Sequence, residues 1–257
     1  MLNIRFKGME ALKSAFSQMS DVGQKSNFIY SDASNLNISL EPLISIADSF
    51  KLNLSNGTDI SRTDNILLAG IQRHRLDTSI DPDNVLFLGT LKADLSLIEL
   101  YSRNISEVKI DLNILKKSEI LECKDAKPSG LTTEELAQIA RYLGFSNTIK
   151  YIVITNADQK LLLAKNTTEI LAEFIWYLSE GYKNRIKEDP YSKDYASTQH
   201  LQHSEFTHSI ILYKSKKSQR RWVSGEDDKT LIPCSLNEYD QLLKNEIPQR
   251  LWPLLIS

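Results

Sequence analysis

The chain has 257 residues, 41% hydrophobic and 25% charged, enough to bury the core of one good-sized domain or two small ones and too apolar for a disordered or fibrous protein. With 31 basic residues against 33 acidic, the net charge of −2 gives no global pull towards nucleic acid or an anionic membrane surface. The two cysteines, Cys123 and Cys234, make no disulfide framework, no apolar stretch approaches the roughly 20 residues of a membrane span, and the opening MLNIRFKGMEALKSAF lacks the apolar core of a secretion signal. A reducing, cytoplasmic setting is therefore expected.

In chain order, short apolar runs alternate with longer helical patterns. Asn27–Tyr30 (NFIY), Phe50–Leu54 (FKLNL), Ile66–Leu68 (ILL), Val85–Leu88 (VLFL) and Val108–Leu112 (VKIDL) read as strands. Thr132 with Glu135 forms a capping-box pattern ahead of LAQIARYLG, where Leu136, Ile139, Ala140 and Leu143 share one face and Gly144 offers a stop. Tyr151–Thr155 (YIVIT) is the next strand. Asn166 with Glu169 is a weaker cap, opening a helix through Ile170, Leu171, Phe174, Ile175 and Leu178. From about Lys183 to His208 the chain turns polar and rich in Tyr and His, then returns to the apolar strand SIILY; Ser235 with Glu238 caps a last helix.

Several of the strands are continuous apolar runs, as expected of strands covered on both faces by helices. The order of elements predicts an α/β fold with a mainly parallel sheet. The polar stretch places a boundary, giving a main α/β domain over 1–190 and a carboxyl-terminal extension over 191–257 packed on the same domain.

Local chemical signatures are sparse. Only 9 glycines are present, no glycine-rich phosphate loop or Gly-x-Ser-x-Gly elbow occurs, and neither cysteine has a histidine nearby in sequence. His74 sits in Gln72-Arg73-His74-Arg75, where neighbouring positive charge discourages a metal ion and favours a surface role. His200, His203 and His208 with Glu205 have spacings that a metal site can use, but no periodicity places the rings, and a polar loop is the better reading. Lys214, Lys216, Lys217, Arg220 and Arg221 beside Trp222 resemble a phosphate-tracking patch, yet Glu226, Asp227 and Asp228 follow at once; a hairpin rim is expected, not a nucleic-acid interface.

A longer-range resemblance does emerge. Gly70 and Gln72 after a strand, the strand end Lys109-Ile110-Asp111-Leu112-Asn113, the turn Ser129-Gly130-Leu131-Thr132 and the strand end Asn156-Ala157-Asp158 follow one another in a familiar order. With FIWYLSEGYKNR, YKSKKSQRRW and IPCSLNEYDQLLKNEIPQRLW, this order resembles the arginase/agmatinase/formimidoylglutamase family, the ureohydrolases, and most of all its formimidoylglutamase-like branch. The resemblance implies a three-layer α/β/α fold, hydrolysis of guanidino or formimino groups, two manganese ions at the carboxyl ends of the strands, and oligomeric assembly.

The ligands the resemblance implies are mostly missing. The family's first histidine falls near Tyr30-Ser31-Asp32-Ala33-Ser34, where there is none. Its Asp-x-His-x-Asp falls at Ser55-Asn56-Gly57-Thr58-Asp59, where only Asp59 remains. Its Asp-x-Asp falls at Asp111-Leu112-Asn113, where Asp111 stands with asparagine as partner. The substrate-side glutamate falls about at Ile154. Two divalent ions a few Å apart repel one another and need several converging carboxylates and imidazoles, so two remnants, Asp59 and Asp111, do not suffice. Asp111, at the end of an apolar strand, reads more readily as a capping carboxylate.

The expectation is a degenerate, amino-terminally shortened ureohydrolase-fold protein without catalytic residues, metal or other cofactor. It would act in the cytoplasm as a binding or assembly protein, through a protein partner or self-association, with no nucleic acid and no membrane. The alternative is a metal-dependent hydrolase of non-peptide C–N bonds using manganese held by Asp59, Asp111 and Asp32.

Overall fold

Consecutive buried residues along a strand require cover on both faces, and the chain has them at its centre. In the strand Tyr151–Thr155, Ile152, Val153 and Ile154 are all buried. The computed structural model describes residues 3–6, 27–30, 43–46, 66–76, 85–157, 159–202, 209–224, 231–252 and 255. These fall in two compact units, Met1–Arg185 and Ile186–Ser257.

The first unit is built on a seven-stranded sheet of β1 (Asn3–Phe6), β2 (Asn27–Tyr30), β3 (Leu43–Ile46), β4 (Ile66–Ile71), β5 (Val85–Phe87), β6 (Glu107–Asp111) and β7 (Tyr151–Thr155). Their spatial order is β2-β1-β7-β6-β3-β4-β5, and every adjacent pair is parallel. Parallel neighbours need crossover connections: α1 (Leu88–Ala93) and α2 (Leu97–Ser102) lie between β5 and β6 and α3 (Thr133–Phe145) between β6 and β7, while α4 (Gln159–Leu163) and α5 (Lys165–Lys183) follow β7. Leu136, Ile139, Ala140 and Leu143 of α3 join Ile170, Leu171, Phe174, Ile175 and Leu178 of α5 and the strand residues Val108, Ile110, Ile152 and Ile154 in one core.

The capping box of α3 forms as the sequence predicts. Thr132 Oγ1 accepts from the Glu135 amide while Glu135 Oε2 accepts from the Thr132 amide. Two other expectations are corrected. Gly144 lies inside α3, which runs on to Phe145; a Cβ there would stand 2.5 Å from Leu178 O and 2.8 Å from Gly181 Cα, so the pair Gly144 and Gly181 lets α3 and α5 cross in backbone contact. Asn166 does not cap α5, which starts at Lys165 with Ala164 at its N-cap. The Asn166 amide donates instead to Glu119 O at 2.6 Å, and Glu169 lies 3.7 Å from Lys165, a turn earlier.

The second unit differs from the expected mainly parallel arrangement. It carries a separate sheet, antiparallel throughout, in the order β11-β10-β9-β8, from β8 (Ala196–Leu201), β9 (Ile210–Ser215), β10 (Arg221–Ser224) and β11 (Leu231–Cys234). The SIILY strand is β9. Ile210, Leu212, Val223, Ile232 and Cys234 form its core with Tyr239 and Leu242 of α6 (Leu236–Leu243), whose capping box, Ser235 with Glu238, forms as predicted. The Glu188 carboxylate accepts from Ser215 Oγ and the Ser218 amide and fixes the β9–β10 turn. Among the described residues, no helix is long and apolar enough to cross a membrane.

Candidate functional site

Open parallel sheets bind ligands beyond the carboxyl ends of their strands, where the chain reverses its direction of winding. Here β1 leads to β2 on one side, β3 leads through β4 to β5 on the other, and β6 and β7 fill the space between. The carboxyl ends of β3, β6 and β7 are therefore the place to look for chemistry. In register, Ile46 faces Ile110, and Asp111 faces Thr155.

Asp111 ends β6. Its Oδ1 accepts from the Asn113 amide at 2.8 Å and so caps the single 3₁₀ turn Leu112–Ile114, the capping role the sequence suggests. Its Oδ2 accepts from Asn156 Nδ2, also at 2.8 Å. Asn156 reaches it because it leaves β7 with φ of 55°, a left-handed conformation that asparagine tolerates better than most residues. Asn113 turns its side chain the other way, where Oδ1 accepts from the buried Cys123 Sγ at 2.8 Å. The strand end is thus a local network of one carboxylate, two amides and a thiol.

The loop after this network is held against it by backbone. Leu131 N donates to Ile114 O and Lys116 N to Leu131 O, at 2.8 and 2.9 Å. A Cβ on Gly130 would stand 2.9 Å from both the Leu115 carbonyl carbon and the Lys116 nitrogen. The Ser129-Gly130-Leu131-Thr132 turn needs glycine for that close approach. Gln72, past the end of β4, donates to Ser129 O at 3.2 Å, and Lys92 donates to Gly130 O at 3.3 Å and to Glu135 at 2.5 Å. Burial raises the Glu135 pKa, but the hydrogen bonds from Lys92 and the Thr132 amide, with the charges of Lys92 and Lys116, outweigh it and hold the carboxyl below its ordinary 4.5.

The other candidate residues are dispersed. Asp59 and Asp32 lie outside the described residues, as do the predicted strand Phe50–Leu54, His203, Glu205 and His208. Ile154, at the position that would hold the substrate-side glutamate, is buried in β7 with 1% exposure. His74 is exposed and accepts from Arg75 Nε at 3.3 Å. His200 is exposed on β8. The basic run becomes the β9–β10 hairpin: Arg220 turns to Glu188 at 3.6 Å, Arg221 lies over the Tyr239 ring at 5.4 Å, and Trp222 is buried. Lys216 Nζ donates to Lys193 O at 2.5 Å, and Lys217 Nζ lies 5.6 Å from the centre of the Tyr195 ring.

A manganese pair would need at least several anionic or imidazole donors at one strand end. Among the described residues no group of three or more His, Cys, Asp or Glu side chains is placed to hold a metal ion. Asp111 Oδ1 and Oδ2 each accept one N–H, from Asn113 and from Asn156. The described donor set does not fit a dinuclear centre. Sequence reasoning found Asp111 and missed Asn156 and Cys123; the signal for Asn156 was its place one residue past a strand, where a left-handed turn is common.

No family model matches the chain, and no curated protein matches it. Solved structures do. Formiminoglutamase of Trypanosoma cruzi, in a structure with Mn2+, superposes with a TM-score of 0.54 at 11% identity over 72% of this chain and 93% of that one. Formimidoylglutamase of Bacillus subtilis gives 0.48 at 15% identity over 69% and 67% of the two chains, and arginase of the same organism 0.48 at 12% over 70% and 98%. The chain shares the α/β fold of the Trypanosoma cruzi formiminoglutamase structure, a ureohydrolase-type fold.

Proposed function

We propose that this is a ureohydrolase-fold protein that has lost the family's metal centre and works as a binding or assembly protein. In this reading the parallel sheet is the middle of a three-layer α/β/α body, the protein is cytoplasmic, and its partner is another protein or a second copy of itself. The observation that carries it is the state of Asp111. Where a manganese-bearing relative would converge anionic ligands, this carboxylate is committed to a backbone amide and to the Asn156 amide. Replacing a neighbouring carboxylate by Asn113 removes one of the negative charges that would offset repulsion between two divalent ions, and the Asn113 side chain is engaged by Cys123 instead.

One observation favours the alternative, a metal-dependent hydrolase of guanidino or formimino C–N bonds. Asp111 stands at the carboxyl end of a central strand, in a fold whose structural neighbour from Trypanosoma cruzi carries Mn2+. Asp59 and Asp32 would have to complete that site. Incubation with arginine, agmatine or formiminoglutamate in the presence of manganese separates the two readings. The binding-protein reading expects no urea, ammonia or formamide above a protein-free control. Turnover that disappears in Asp111→Ala while the fold persists supports the hydrolase.

A further inference from the structure

We infer that β8 is a self-association edge, and that two copies of the chain join through it into one continuous antiparallel sheet. The inference deepens the assembly half of the reading above and rests on it only there. It is carried by β8 itself, which ends the second sheet; among the described residues no strand pairs with its outer side.

An open edge presents a row of unpaired N–H and C=O groups, and proteins that must stay monomeric blunt it with lysine, proline, bulges or brevity. The two edges of this sheet differ in that respect. β11 is four residues long and carries Pro233. β8 is six residues long, Ala196-Ser197-Thr198-Gln199-His200-Leu201, with no proline and no Lys, Arg, Asp or Glu. It pairs with β9 over six consecutive positions without a register shift, so no bulge turns it away. Ser197, Thr198, Gln199 and His200 are exposed in succession, which means both faces of the strand are wet. Such a strand gains little from burial in its own unit, and a second ladder would supply what burial does not.

A second copy is the occupant the sequence fits. Two identical strands meeting edge to edge and antiparallel are related by a twofold axis perpendicular to the sheet. Directly opposed side chains share a face, so the axis must pass beside a residue paired with its own copy. Centred on Thr198, the pairs are Thr198 with itself, Ser197 with Gln199, and Ala196 with His200. Centred on Gln199, they are Gln199 with itself, Thr198 with His200, and Ser197 with Leu201. Neither arrangement opposes like carboxylates or ammonium groups, and both place hydrogen-bonding side chains against one another.

The test uses the full chain. The wild type is expected to sediment as a concentration-dependent dimer. The double variant Thr198→Lys/Gln199→Lys, which sets a lysine against its own copy in either register, is expected to be monomeric with an unchanged far-ultraviolet dichroism spectrum. Thr198→Cys and Gln199→Cys, made separately, place a thiol where paired Cα atoms are about 4.5–5.5 Å apart, within the disulfide range. At least one should convert to a covalent dimer on mild oxidation, while Lys193→Cys, an exposed site off the strand, should not. A wild type that stays monomeric, a dimer that survives the lysines, or thiol variants that fail to cross-link would each overturn the inference. None of these readouts depends on metal binding or hydrolysis, so this inference and the functional reading can fail separately.

Discussion

The side-chain amide of Asn156 donates to Asp111 Oδ2 at 2.8 Å, joining the carboxyl ends of two adjacent parallel strands. With the Asn113 amide on Oδ1, both carboxylate oxygens of Asp111 accept hydrogen bonds at these strand ends. Asp111→Ala should therefore cost about 1–2 kcal/mol, the usual loss for a capping side chain. Thermal melts with and without manganese check the assignment. The metal should leave the midpoints of wild type and variant unmoved; a manganese-dependent rise in the wild type alone would identify Asp111 as a ligand.

Gly130 and Gly89 make a matched pair. A Cβ on Gly130 meets the backbone of Leu115 and Lys116 at 2.9 Å, whereas one on Gly89 meets nothing within 4 Å. Gly130→Ala should destabilise the first unit by about 1–3 kcal/mol through overpacking. Gly89→Ala, in α1, should be neutral or stabilising by up to about 1 kcal/mol. Denaturant titration of both variants reads the difference directly.

In the second unit, Arg250 holds Glu238 with Nε at 2.6 Å and Nη2 at 2.8 Å, and Nη2 also donates to Pro233 O. Burial raises the Glu238 pKa, but the Arg250 hydrogen bonds and charge, with those from Ser235, bring it below the ordinary 4.5. A carboxyl lowered on folding adds stability above its unfolded value, and that contribution is lost as pH falls through the folded value. Glu238→Gln should lose about 1–3 kcal/mol near neutrality, the scale of a charged hydrogen bond. Its stability should also fall less steeply than the wild type's as pH drops below 4.5. Equal acid slopes would mean that Glu238 does not titrate in this range.

The Lys92–Glu135 contact ties α1 to the opening of α3, at 2.5 Å with both side chains partly exposed. Glu135→Gln keeps the capping geometry and removes the ion pair. It should cost no more than about 1 kcal/mol, because pairs this open to solvent contribute little. Glu135→Ala, which also removes the cap, should cost visibly more in the same thermal melts.

Helix starts were the most legible feature of the sequence, because a capping box is written in four residues: Thr132 with Glu135 and Ser235 with Glu238 form as read. The strands β2, β4, β5, β6 and β7 were legible as apolar runs. β1 and β3 were not: NIRF and LISI emerge as strands through their parallel pairing with β7 and β6. Asn166 misled because a local cap pattern competes with a partner 47 positions away, the Glu119 carbonyl. The same distance effect hid the site: Asp111 was visible at a strand end, but Asn156 lies 45 positions on and is brought to it by the β6–β7 register.

The central claim is that the strand ends no longer assemble a dinuclear metal site, and counting manganese tests it most directly. Purified chain is loaded with excess manganese, dialysed and analysed for metal per polypeptide. The account predicts no stoichiometric metal in either the wild type or Asp111→Ala. Two manganese ions per wild-type chain, lost on that substitution, would contradict it.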